Sequence, residues 1–123
     1  MKNTIFQKIN WSEVPNEEVT PLMHRKIITG QNIMIANMKF KNGFVVPKHS
    51  HSNEQITQVI SGTIRFWLGE NKPQVVDLHS GDVLVIPPHL PHKAEMIGDV
   101  EEIDMWSPPR QDWIDGTDDY LRK

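Results

Sequence analysis

Two histidines one residue apart, His49 and His51, carry the most specific chemical signal in this chain of 123 residues. Residues i and i+2 of a strand point to the same face, so both imidazoles can aim at one point. A third histidine, His92, lies downstream in GDVLVIPPHLPH. Three imidazoles suit zinc, nickel, copper, iron, cobalt or manganese, and the expectation is one divalent transition-metal ion held by His49, His51 and His92. His24, His79 and His89 read as surface or hydrogen-bonded histidines. A fourth ligand comes from Glu54 or Gln55, which lie on opposite faces of the following strand. Gln55 shares its face with Thr57 and Val59, and Glu54 shares the other with Ile56 and Gln58. The residues alone leave that choice open.

The choice has a chemical consequence. A glutamate cancels one of the ion's two charges, whereas glutamine offers a neutral carbonyl oxygen. With Gln55 as ligand the ion keeps its full charge, acts as a stronger Lewis acid and attracts anions better. It is also held less tightly.

A second cluster follows in DMWSPPRQDW, with Asp104, Trp106 and Arg110. Asp104 and Trp106 share a strand face, and the proline pair bends the chain so that Arg110 can return to the mouth of the site. There Asp104 can move protons, Trp106 can stack on a ring face and Arg110 can clamp a carboxylate with two hydrogen bonds. That set fits a small acidic sugar. The competing reading is an Asp104–Arg110 structural ion pair, with Trp106 and Trp113 as core. The same parity turns Glu102 inward, either at a wet mouth or through a slip in the register.

The scaffold must bring residues 49–55, 92 and 104–110 together. Turn signals at short intervals separate stretches of about 6–9 residues rich in apolar and β-branched side chains, and helical periodicity is almost absent, which indicates an all-β sandwich or barrel. TIFQKIN (4–10) reads as a short strand, and LMHRKIIT (22–29) and NIMIANMKF (32–40) as strands, the second buried on both faces. Asn42-Gly43 signals a type I′ hairpin, VVPKHSH is expected to turn and run back as EQITQVI, and Ser61-Gly62 turns into TIRFWLG. PQVVDLH, VLVIP and HKAEM follow, Gly98-Asp99 starts VEEIDMW, and the tail holds a short helix after its prolines. A net charge of −3 gives no basic surface for nucleic acid. The chain has no cysteine, hence no disulfide and no thiolate chemistry. No apolar run reaches signal-peptide or membrane-span length, so a soluble cytoplasmic protein is expected.

The chain resembles the cupins, small β-barrels of the jelly-roll type. Their first motif is Gly, five residues, His-x-His, three or four residues, Glu, six residues, Gly. Here it is Gly43, His49-Ser50-His51, Gln55 and Gly62 at matching spacings, with Gln55 where the Glu usually stands. The second is Gly, five residues, Pro-x-Gly, two residues, His, three residues, Asn. Here it is Gly81, Pro87-Pro88-His89, His92 and Met96, with only the glycine and asparagine inside the motif replaced. The resemblance implies an all-β, cupin-type jelly-roll barrel forming one domain over residues 1–123, with its core at about 22–107 and a tail at 108–123. The family spacing favours Gln55 over Glu54.

The late Asp-x-Trp-Ser-Pro-Pro-Arg-x-Asp is similar to one cupin group, the pectin degradation proteins that open unsaturated uronate rings. By that resemblance the metal ligands are His49, His51, Gln55 and His92, the active-site acid is Asp104, the aromatic is Trp106 and the arginine is Arg110. Trp106 stands where a phenylalanine is expected and narrows the pocket. The implied partner is a small acidic sugar, and the implied assembly is a homodimer, with Ile56, Ile60 and Trp67 as outward apolar residues. Two other classes stay open: another metal-dependent enzyme, such as a dioxygenase or sugar isomerase, and a non-catalytic barrel that binds a small ligand. Oxygen consumption separates the dioxygenase. The residues before Gly43 read as strands and not as a helix-turn-helix, which counts against a DNA-binding sensor.

Overall fold

Alternation of apolar and polar residues lets each strand bury one face. The computed structural model, which describes residues 5–122, has eight strands among them. They are β1 (Glu17–Thr20), β2 (Met23–Thr29), β3 (Met34–Phe40), β4 (Val45–His49), β5 (Glu54–Leu68), β6 (Gln74–Leu78), β7 (Val83–Ile86) and β8 (His92–Ser107). A short helix, α1 (Gln111–Asp115), and a single 3-10 turn at Asp119–Leu121 form the tail. Among the described residues, no helix is long and apolar enough to cross a membrane.

The two long strands organise the rest. The first half of β5 pairs with the second half of β8, and the second half of β5 with the first half of β8. One layer therefore runs β1-β2-β3-β8-β5-β7, and the other runs β4-β8-β5-β6. The layers close on a core of Met34, Met38, Phe40, Ile64, Phe66 and Met96.

Between the two halves of β5 the burial pattern changes phase. Gln55, Thr57 and Val59 are buried in the first half, then Ile64 and Phe66 in the second. The ladder with β8 shifts register on both sides of Ser61. Ser61-Gly62 is therefore a bulge that bends one strand from one layer into the other, and not the turn between two strands that the sequence suggests. Gly98-Asp99 likewise lies inside β8, opposite the bulge. Gly62 has φ +91°, and a Cβ there would collide with the carbonyl oxygen of Asp99. A glycine is required for both reasons.

Three further expectations differ from the structure. Asn42-Gly43 is not a hairpin: β3 pairs with β2 and β8, while β4 pairs with β8. The turn carries the chain between layers, and the Asn42 side chain accepts from Gly98 N at 2.8 Å while its backbone N–H donates to Asp99 Oδ1 at 2.9 Å. For the same reason β5 does not run back along β4. Residues 5–10 form no strand; Asn10 instead caps a 3-10 turn at Trp11–Glu13, and Thr4 lies outside the described residues. Only one face of β3 is fully buried, since Ile35 is half-buried and Ile33 precedes the strand and is exposed.

The tail folds back onto the barrel. Arg25, fully buried on β2, donates from Nη1 to Asp118 Oδ2 at 2.6 Å and from Nε to Glu17 Oε1 at 2.8 Å. Its guanidinium lies 4.3 Å from the Trp113 ring centroid. A buried charge is tolerated only when paired in this way, so this cluster fixes where Trp113, Tyr120 and Leu121 sit.

Gly62→Ala is expected to lower stability by about 2–4 kcal/mol, from steric overlap plus a left-handed backbone. Gly43→Ala shares the positive φ of +84° but meets nothing within 4 Å and is expected to lose only about 1 kcal/mol. Urea unfolding of both variants checks this, and equal losses would contradict the bulge argument.

Candidate metal centre

His49 closes β4, His92 opens β8, and the two are register partners across the ladder. His51 lies in the loop after β4, so it reaches the common point by a turn and not by strand parity. The ring centroids are 4.3 Å apart for His49–His92, 5.0 Å for His51–His92 and 5.5 Å for His49–His51. One ring nitrogen from each lies within 4.8 Å of the others.

The tautomers follow from the hydrogen bonds. His49 Nδ1 is 2.9 Å from Pro47 O, His51 Nδ1 is 3.0 Å from Asn53 O, and His92 Nδ1 is 2.8 Å from Leu90 O. A carbonyl only accepts, so each Nδ1 carries the proton and each neutral ring presents a bare Nε2 lone pair. Burial lowers the pKa of all three. It holds His49 at about 4, with the His92 charge adding to the effect, and His51 at about 4, with the Arg110 charge adding. Three neutral imidazoles with converging lone pairs are the donor set a divalent metal needs.

Gln55 is buried and Glu54 is exposed. The Gln55 amide is fixed at both ends: Nε2 donates to Thr57 Oγ1 at 2.9 Å, and Oε1 accepts from Trp106 Nε1 at 2.9 Å. That leaves Oε1 facing His51 Nε2 at 3.1 Å. With the proton on Nδ1, both atoms are acceptors, and a cation at that point satisfies both. His92 Nε2 is likewise buried without a partner among the described residues. The residues present fit a metal ion.

Around this centre lies one cavity, with about 40 Å³ of space for water-sized molecules, walled by His49, His92, Gln55, Asp104, Trp106 and Arg110, among others. Asp104 and Glu102 are both buried, on the inner face of β8. Burial raises both carboxyls. Glu102 rises well above the usual range, reinforced by the Asp104 charge, and Asp104 rises to about 7, opposed by a hydrogen bond from Thr57. Glu102 Oε2 and Asp104 Oδ1 have no partner among the described residues. Glu102 thus lines the site from inside the barrel and not at a wet mouth.

Arg110 does not pair with Asp104. Its Nε and Nη2 donate to the two oxygens of Asp112 at 3.0 and 2.9 Å, and Nη2 donates again to Tyr120 Oη at 2.8 Å. The guanidinium edge expected to clamp a carboxylate is therefore occupied, and Nη1 is what remains. Trp106 packs against Trp113 at 4.6 Å between centroids and gives its N–H to Gln55, so it serves as an inner wall holding the Gln55 amide against His51. Sequence reasoning missed Tyr120, whose ring lies 4.8 Å from that of His49. Its segment, DGTDDYLRK, has no periodicity to mark an inward residue.

The cupin-domain profile matches residues 36–105. The chain belongs to the cupin family. Within it, the chain is a small cupin similar to KdgF from Halomonas sp., with 32% identity over 83% of this chain and 94% of that one, at a TM-score of 0.72. An RmlC-like cupin from Shewanella frigidimarina shares the fold at 22% identity and a TM-score of 0.78, covering 90% of this chain and 96% of that one. Auxin-binding protein ABP19b of Prunus persica is 30% identical over 99 residues, covering 76% of this chain and 47% of the relative. The chain thus spans about half the length of that curated relative.

Two outcomes follow from the geometry. In calorimetric titration with zinc, His92→Ala is expected to weaken binding by more than the roughly 10–100-fold that loss of a supporting partner brings, and Gln55→Glu to tighten it. Unchanged affinity in both would contradict the donor set. In the metal-free protein, Glu102 has a folded pKa above its unfolded value. The wild type therefore loses stability relative to Glu102→Gln as pH rises from about 4.3 towards the folded value. Urea midpoints across that range should diverge in favour of the variant, and parallel midpoints would count against a raised Glu102.

Proposed function

We propose that this cupin opens the ring of 4,5-unsaturated monouronates, the products of pectin or alginate lyases, to the linear 4-deoxy-5-keto uronate. One observation carries the reading: Asp104, Arg110 and Trp106 wall the same cavity as the histidine cluster. The similarity to KdgF from Halomonas sp. supports it.

A divalent ion held by the three imidazoles and Gln55 would supply Lewis acidity to the sugar oxygens. The chain's own residues do the rest. Asp104, with its pKa near neutral, can both take and give a proton at working pH. The reaction is an isomerisation. The C1 hydroxyl loses a proton, the bond from C1 to the ring oxygen breaks to leave an aldehyde, and the ring oxygen takes up a proton as an enol. The enol then loses that proton, and C4 gains one to leave the 5-ketone. Asp104 relays these protons; burial favours its neutral form, and Glu102 beside it opposes that shift, which leaves the acid poised near neutrality. Arg110 contributes a positive charge attracting the carboxylate, and Trp106 closes the cavity against water. Enzymes of this fold family host many chemistries, so the substrate assignment stands on the site and not on the fold.

The test follows the ultraviolet absorbance of the conjugated C4=C5 carboxylate of unsaturated galacturonate with zinc-, nickel- or manganese-loaded protein. Decay well above the buffer rate is expected. Asp104→Asn should lose about 10²–10⁴ of the rate while keeping its metal. Decay no faster than in buffer with every metal would refute the assignment.

A further inference from the structure

Tyr120 occupies the wall of the cavity beside His49, and its hydroxyl has an unusual set of neighbours. Arg110 Nη2 donates to Oη at 2.8 Å, and Trp113 Nε1 donates to it at 3.1 Å. A hydroxyl oxygen has two acceptor positions and one donor hydrogen. Both acceptor positions are filled, and the O–H finds no acceptor among the described residues. Two donors feeding one oxygen, one of them cationic, also polarise that O–H and strengthen it as a donor.

The segment is held where it is by the buried tail latch. Asp118, two residues before Tyr120, takes the Arg25 guanidinium at 2.6 Å, and Arg122, two residues after it, bridges Asp118 and Glu17 at 3.1 and 2.9 Å. Arg110, for its part, has Nε and Nη2 committed to Asp112 and Tyr120, which leaves Nη1 as its available donor. A lone guanidinium nitrogen makes a weaker and less directional carboxylate contact than a two-nitrogen edge. The neighbouring phenol supplies the second donor that is missing.

We propose that Tyr120 Oη–H and Arg110 Nη1 together form the receptor for the substrate carboxylate, each giving one hydrogen bond to the acid group. This assignment rests on the uronate reading above. It makes Tyr120 a residue that selects acids over neutral sugars and orients the ring for proton transfer by Asp104.

The test titrates saturated galacturonate and its methyl ester into zinc-loaded wild type and Tyr120→Phe, and measures turnover of unsaturated galacturonate by both. Tyr120→Phe is expected to bind the acid about 10–100-fold more weakly, to leave the ester unchanged, and to raise KM more than it lowers kcat. Equal losses for acid and ester would show that the hydroxyl only holds the tail, and would overturn the assignment. So would an unchanged acid affinity in a variant whose wild-type parent turns over the unsaturated uronate. If the wild type neither prefers acid to ester nor turns over that substrate, the uronate reading itself has failed and takes this assignment with it.

Discussion

Three backbone carbonyls decide what this barrel can do. Pro47, Asn53 and Leu90 each take the Nδ1 proton of a histidine two residues away. Each bond is local, and each fixes both the tautomer and the ring plane. Their joint result is three bare Nε2 atoms that converge. Burial then keeps the rings neutral, since a protonated imidazole here would sit beside other imidazoles and the Arg110 charge. A site arranged this way is satisfied by a cation and by little else. In the proposed donor set the Gln55 oxygen would complete it without adding negative charge.

The fold serves that convergence. His49 and His92 meet because β4 pairs with the first half of β8, and Gln55 joins them because the first half of β5 pairs with the second half. Both relations hold only if β5 and β8 bend together, and the bend depends on Gly62 lying against the Asp99 carbonyl. The phase change at the bulge turns Gln55 and Thr57 inward at one end and Ile64 and Phe66 inward at the other. One pair of strands thus builds the polar site and the apolar floor.

How much of this the sequence reveals depends on the range of the interaction. The His-x-His pair, Gln55 and His92 are marked by spacing, and the inward direction of Glu102, Asp104 and Trp106 follows from strand parity. Which strand pairs with which does not. Asn42-Gly43 and Ser61-Gly62 both carry strong turn chemistry, yet one crosses between layers and the other is a bulge, because a glycine with positive φ fits either. The tail is the least visible part. The inward positions of Tyr120 and Asp118 depend on Arg25, 93 residues earlier for Asp118, and no local pattern encodes so distant a partner. For Arg110 the sequence likewise suggests a free clamp, although Asp112 occupies its edge.

The cavity brings the three-histidine cluster together with carboxyls that burial holds in reserve. Glu102 and Asp104 sit where ionisation is disfavoured, and Arg110 supplies the nearby fixed positive charge. On the proposed function, such a pocket would take an anionic ligand and move its protons at neutral pH. The proposed site depends on the convergence of four donors, three imidazoles and the Gln55 oxygen. The most direct measurement is the anomalous difference density of crystals loaded with zinc or nickel, collected at the metal edge. One ion per chain is expected, at about 2.0–2.2 Å from Nε2 of His49, His51 and His92 and from Oε1 of Gln55. An ion bound through Nδ1, bound to Glu54, or found outside this cavity would contradict it.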